Sequence, residues 1–299
     1  MTAEEKKRAL ESLIFLVEKK DGRIKARTCA NGKKQRIWTE KNDASSPTVS
    51  TESVFLTAVI DAHERRDVMT SDVPNAFIQT ANEKDKDGHR VIMKIRGILV
   101  DMLIEMDPDL YRDKVVYSNG EKILYVETLQ AIYGLLKSAL LFYRKLRKDL
   151  ENDGFIVNPY DPCVANRLIN DKQHTVTWHV DDIKSSHVDP KVNDKFHDWL
   201  EMKYGDEEIG KVKSTRGKIH DYLGMTLDYT SPGEVRIDMT KYVKDMVRDF
   251  PEKIDHGTVV NPATTKLFQV NNNSTKLSKK KAEQFHTFVA KGLFLSKQA

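Results

Sequence analysis

Two adjacent carboxylates, Asp181 and Asp182, follow the stretch Thr175-Val176-Thr177-Trp178-His179-Val180. Val176, Trp178 and Val180 alternate with Thr175, Thr177 and His179, the period-two pattern of a half-buried strand, and Ile183 and Val188 resume an apolar pattern beyond the acids. The pair therefore belongs at the turn of a hairpin. Like charges side by side repel, and a turn that holds both near a sheet edge is suited to a bound cation. A solvated Asp-Asp turn has the same local sequence, so the pair alone leaves both readings open. A third acid, Asp72, lies near the end of the apolar stretch 68–73, just ahead of Pro74, which cannot donate to a strand ladder. If the two segments are neighbours, three carboxylates converge. Such a set suits two Mg²⁺ ions about 3.5–4 Å apart, one lowering the pKa of an attacking hydroxyl and one stabilising a leaving pyrophosphate.

The elements that must position these acids are partly readable. Residues 4–18 carry Leu10, Leu13, Ile14 and Val17 at helical spacing, which predicts an amphipathic helix or a helix passing into a strand. Lys19-Lys20-Asp21-Gly22-Arg23 is a hairpin signal, because Asp-Gly supplies the positive φ angles of a tight turn. Ser50 or Thr51 caps a helix through about His63, with Val54, Phe55, Ala58 and Val59 expected inside. Acid-rich residues 82–88 read as a surface turn. Residues 128–150 form the longest helical pattern, with Gly154 as its stop. A further helix is expected over 192–202, then two short strands flanking Asp221-Tyr222-Leu223-Gly224, then a helical C-terminal portion. Helices and strands mix without a regular βαβ rhythm, which predicts an α+β fold.

At this point the chain resembles the reverse transcriptase domain of copia-type LTR retrotransposons, over nearly its whole length. Asp72-Val73-Pro74-Asn75-Ala76-Phe77 matches that family's Asp-Val-x-x-Ala-Phe block. Tyr133-Gly134-Leu135-Leu136-Lys137-Ser138-Ala139-Leu140-Leu141-Phe142-Tyr143 matches in part its Tyr-Gly-Leu-Lys-Gln-Ser-Pro-Arg-x-Trp-Tyr block. Asp161-Pro162-Cys163-Val164 and His179-Val180-Asp181-Asp182 stand for its Asp-Pro-Cys-Val and Tyr-Val-Asp-Asp segments. Tyr222-Leu223-Gly224-Met225 and residues 287–297 match its primer-gripping and thumb segments.

The resemblance implies a polymerase right hand: fingers from 1–66, a palm of antiparallel sheet backed by helices from 67–239 with the rest of the fingers inserted at about 79–128, and a short basic thumb from 240–299. It implies that Asp72, Asp181 and Asp182 hold Mg²⁺, or Mn²⁺ in its place, with the Val73 carbonyl as a further ligand. Asn75 and Ala76 amides would face a deoxynucleoside triphosphate, and Phe77 would press on its sugar and reject a 2′-hydroxyl. Lys25 and Arg27 would contact phosphates. Lys137 replaces a Gln expected against the nucleotide; it can meet phosphate as a point charge but lacks the amide's paired donor and acceptor. Tyr222, Leu223, Gly224 and Met225 would touch the primer.

The implied function is RNA-directed DNA polymerisation on a primed RNA or DNA template. The alternative is an inactive, nucleic-acid-binding remnant of such an enzyme, and a three-carboxylate nuclease or transposase ranks below both because it would need its third acid on a late helix. Protease, integrase and ribonuclease H would come from a parent polyprotein, since the family continues beyond the point where this chain stops.

Composition agrees with that class. The chain has 299 residues, 39% hydrophobic and 31% charged, with net charge +4, and no apolar run of membrane-spanning length. Residues 240–299 hold 11 Lys+Arg against 5 Asp+Glu, so the basic excess is concentrated where a polyanion would be tracked. Two cysteines, Cys29 and Cys163, form no CxxC pair, which leads us to expect a reducing, cytoplasmic setting, in a virus-like particle if a full element is expressed.

Overall fold

In the computed structural model, which describes residues 1–18, 22–253 and 269–298, the chain opens with helix α1 (Ala3–Arg8), closed by a Thr2–Glu5 capping box. The helical reading of 4–18 stops there. Ala9 is already extended, and Leu10–Glu18 is strand β1, paired antiparallel with β2 (Ile24–Ala30). Ile14, Phe15 and Val17 are strand-favouring types, and cross-strand pairing outweighs their helical spacing. Gly22 has φ +78° as the hairpin demands; Lys19, Lys20 and Asp21 lie outside the described residues.

Helix α2 (Thr51–His63) starts at the Ser50 cap and buries Val54, Thr57, Ala58, Asp61 and Ala62. Val59, expected inside, is 55% exposed because it falls about 100° off that stripe. Next come β3 (Asp67–Asp72), β4 (Ile92–Arg96), α3 (Ile98–Met106), α4 (Pro108–Tyr111), β5 (Val116–Ser118) and β6 (Glu121–Glu127). One five-stranded sheet has the order β2-β1-β4-β6-β5, parallel only between β1 and β4. Strands from before α2 and from the 79–128 insertion therefore share one sheet, with Met93, Ile95, Val100 and Leu124 at its core.

Helix α5 spans Ser138–Asn152, shorter at its start than the pattern over 128–150 predicts. Gly134, with φ +90°, breaks the helix, and the segment ahead of it is tied by Ala131 N–H to the Thr80 carbonyl (2.8 Å). Then follow β7 (Ile156–Val157), β8 (Val164–Ile169), β9 (Lys172–His179), β10 (Asp182–His187), α6 (Pro190–Tyr204) and β11 (Lys213–Gly217). With β3 they form a wholly antiparallel six-stranded sheet, β11-β3-β10-β9-β8-β7. Helices α5 and α6 cover one face: Tyr143 stacks on Trp178 at 6.3 Å, and Phe196 meets His174 at 5.2 Å. On the other face Asp61 and Arg66, at the end of α2, reach Lys184 and Thr175.

Met1–Gly217 and Lys218–Ala299 form two units. The second holds β12 (Ile219–Tyr222), β13 (Met225–Asp228), β14 (Arg236–Asp238), α7 (Thr240–Arg248) and α8 (Lys279–Gln298). Tyr242 packs on Phe294 at 5.1 Å and Phe250 on Phe288 at 4.9 Å, joining α7 and the residues after it to α8. The division falls ahead of the three-stranded sheet of 219–238, which the sequence reading assigns to the palm. Residues 254–268 of the basic segment lie outside the described residues. The fold is α+β, and among the described residues no helix is long and apolar enough to cross a membrane.

Candidate active site

The antiparallel ladder brings the acids together. Asp182 is the register partner of Asp72 on β3 and of His179 on β9, so Val180 and Asp181 are the two turn residues of the β9–β10 hairpin. The Val73 amide donates to the Asp181 carbonyl at 3.1 Å, which ties the hairpin tip to the end of β3. Val180 has φ +59°, a region a β-branched residue rarely enters, and because Asp181 does not share it, positive φ at the first turn position alone marks a type II′ turn. Strain of this kind persists where the surrounding structure over-determines it.

Burial and repulsion act in the same direction on the carboxyls of Asp181 and Asp182. Burial, and then the Asp72 charge, raise the pKa of Asp181 against the pull of its own backbone amide, His179 and Arg27. Partial removal from water, followed by the Asp181 and Asp72 charges, pushes Asp182 up to about 6, although the residue as a whole is exposed. His179 is half-buried with its Nδ1 unpaired; burial lowers its pKa while Asp181 pulls it back.

A stack of side chains faces these acids. Phe77 meets the Tyr133 ring edge-on at 4.7 Å, and the Arg27 guanidinium lies over that ring at 4.9 Å. Burial first, and then Asp181 and Asp72, raise the Tyr133 pKa, with Arg27 opposing, so the phenol shares the field of the acids. Sequence reasoning quoted Tyr133 in a motif without giving it a role; its place in the block was the available signal. Its backbone is fixed by close contact. The Ala30 amide donates to the Tyr133 carbonyl (2.8 Å), Leu136 N–H donates to Gln35 Oε1 (2.9 Å), and a Cβ on Gly134 would stand 2.0 Å from the Ala30 oxygen.

The remaining expected residues are distributed unequally. Asn75, left-handed at φ +46°, donates from Nδ2 to the Ile209 carbonyl (2.9 Å) and starts the short turn Ala76–Gln79, with Ala76 buried. Lys25 is exposed on β2, two residues from Arg27 and on the same strand face. Lys137 lines a cavity of about 40 Å³ with Arg8, Gln35, Trp38 and Asp85, and Tyr133 is the residue of its block whose pKa burial and the charges of Asp181 and Asp72 raise. Lys213, which sequence reasoning did not single out, pairs with Asp72 on the side opposite Asp182. Tyr222, Leu223, Gly224 and Met225 belong to the second unit. Leu223 and Gly224, at φ +51° and +79°, form its β12–β13 turn, and Tyr222 and Met225 are buried there.

Carboxylates are hard ligands, and a divalent cation would relieve the repulsion among Asp72, Asp181 and Asp182, whose donor atoms do not all lie within 4.8 Å of one another. Among the described residues, a group of three ligands with donor atoms all within 4.8 Å of one another occurs at Asp85, Asp87 and His89. Asp85 there is already paired with Arg8.

No protein-family model and no curated protein matches the sequence. Among solved structures the chain is similar to apo telomerase from Candida tropicalis, at 12% identity and TM-score 0.41, covering 79% of this chain and 48% of that one. It is also similar to telomerase from Candida albicans in complex with the TWJ fragment of telomeric RNA, at 11% identity and TM-score 0.36, covering 84% and 52%. The chain spans about half the length of these telomerase chains.

Proposed function

We propose that the chain is an RNA-directed DNA polymerase of the copia type, adding deoxynucleotides to a primer 3′-hydroxyl. The observation that carries this reading is the pairing of Asp72 with Asp182, and of Val73 with Asp181, at one end of an antiparallel sheet. Asp72, Asp181 and Asp182 would hold Mg²⁺, which supplies charge neutralisation to the attacking and leaving oxygens. The chain's own residues orient the substrate. Phe77, braced by Tyr133, walls the sugar; Arg27 and Lys25 on β2, with Lys213 beside Asp72, present positive charge to a triphosphate or a nucleic-acid backbone. Phosphoryl transfer depends mainly on positioning and electrostatics, so an arrangement of acids, cations and an aromatic wall accounts for the chemistry.

Extension of oligo(dT) on poly(rA) with Mg²⁺ or Mn²⁺ tests the reading. We expect extension by the native chain, and loss of roughly 10³-fold or more in Asp181→Asn and Asp72→Asn with primer–template binding retained. Extension by either variant at the native rate would refute it. Binding without extension by the native chain would instead support an inactive nucleic-acid-binding remnant.

A further inference from the structure

Beneath the acids lies a buried charge network that the reaction does not itself use. Asp61 sits in the middle of the buried stripe of α2, and Lys184 on β10 donates its Nζ hydrogen to the Asp61 Oδ2, both residues being 1% exposed. Arg66, 4% exposed, lies 3.9 Å from the other Asp61 oxygen and donates to Thr175 Oγ1 (2.9 Å) and to Ser186 Oγ (3.5 Å). Two residues along a strand separate Lys184 from Asp182, so their side chains leave the same face about 6.6–6.8 Å apart. Lys184 pairs across to Thr70 on β3 and Thr177 on β9, and Ser186 to Val68 and Thr175, so polar side chains predominate on this buried face. Polar neighbours do not fix a strand by interdigitating volume. Directional bonds to the α2 end of the chain do.

We propose that Lys184 is a positioning residue for the carboxylate centre: clamped on Asp61, it holds the end of β10 next to the β9–β10 turn so that Asp182 stays opposite Asp72. A buried ion pair adds little net stability over an apolar pair of similar volume, so its effect falls on geometry. The same argument supplies the variant that separates the two roles. D61L/K184M removes both charges together, and Arg66, which loses Asp61 at 3.9 Å, keeps its ion pair with Glu64 at 2.8 Å.

The inference rests on the metal-binding reading of the acids, and the experiment keeps the two apart. Mn²⁺ binding to the full chain is followed by electron paramagnetic resonance, with D72N as the control, beside thermal melting and primer extension with separate kcat and KM. We expect D61L/K184M to melt within a few degrees of the native chain, to bind Mn²⁺ roughly tenfold more weakly, and to lose kcat on the order of tenfold with nucleotide KM unchanged. Native Mn²⁺ affinity in the folded double variant overturns the proposal while leaving the polymerase reading intact. Absence of D72N-sensitive Mn²⁺ binding in the native chain overturns both. Binding without extension by the native chain removes the polymerase reading alone, because the Mn²⁺ comparison still decides the role of Lys184. If D61L/K184M does not fold, D61N/K184Q is read by the same criteria, and failure of both to fold assigns the pair a purely structural role.

Discussion

Asp72 and Asp182 are direct register partners on β3 and β10, so two carboxylates leave the same face of the sheet side by side next to the β9–β10 turn. Like charges placed opposite each other destabilise a strand pair, and this arrangement is sustained by the buried contacts around it. A bound cation would offset that cost.

The charge state of Asp182 gives a pH prediction. Its folded pKa of about 6 lies above the ordinary 3.8, so the metal-free fold binds this proton more tightly than the unfolded chain does. In the absence of metal, protonation therefore favours the fold as pH falls from about 6 to about 4. A metal must displace the same proton, so Mn²⁺ affinity should weaken about tenfold per pH unit below 6 and level off above 7. Mn²⁺ titrations between pH 5 and 7.5 check this, and Asp182→Asn should flatten the profile.

His174 has the opposite sign. Burial first, and then the charges of Arg167, His187 and Arg66, lower its pKa to about 3, and Nε2 bonds Ser185 Oγ at 2.8 Å. The unfolded chain takes up this proton below about 6.5, so stability is complete above that pH and declines as pH falls toward 3. The slope is at most about 1.4 kcal/mol per pH unit. Asp182 opposes this slope below pH 6, so the contribution is read as the difference between native and His174→Gln chains in urea denaturation from pH 7.5 to 4, the native chain losing more stability.

Phe77 and Tyr133 brace each other, which makes a paired substitution informative. Phe77→Val should reduce discrimination against ribonucleotides on the order of 10²-fold. Tyr133→Ala removes the brace and should move discrimination in the same direction by a smaller factor, whereas Tyr133→Phe keeps the ring and should change little. Incorporation of ribonucleotide against deoxynucleotide in single-turnover extension measures both.

Arg27→Ala removes the cation over the Tyr133 ring. A charge-assisted contact to phosphate contributes about 1.5–3 kcal/mol, so nucleotide KM should rise by roughly 10- to 150-fold, while loss of the exposed cation–π contact costs the fold only about 0.5–1 kcal/mol. Steady-state extension at varied nucleotide separates KM from kcat.

Gly134→Ala should be destabilising by at least about 2 kcal/mol, since it adds left-handed strain to a 2.0 Å overlap with the Ala30 oxygen. A urea midpoint shift at constant slope measures it.

Much of the site is local in origin and therefore legible in the amino-acid order. Alternation over 175–180 specifies a strand whatever surrounds it, and two residues between β9 and β10 leave a hairpin as the outcome; the Ser50 cap and the α+β mixture are equally local. Other features depend on partners distant in the chain. Whether 10–18 is helix or strand depends on β2 and β4, and the start of α5 at Ser138 depends on Gly134 meeting Ala30. The place of Tyr133 between Phe77 and Arg27, and that of Lys137 on the cavity of Arg8 and Trp38, rest on partners equally distant in the chain. Sequence by itself determined which residues carry the acids and the turn. Only the tertiary structure decided that Asp72 stands opposite Asp182 and that Lys184 is clamped by Asp61, because strand register and buried charge pairing are set by long-range packing.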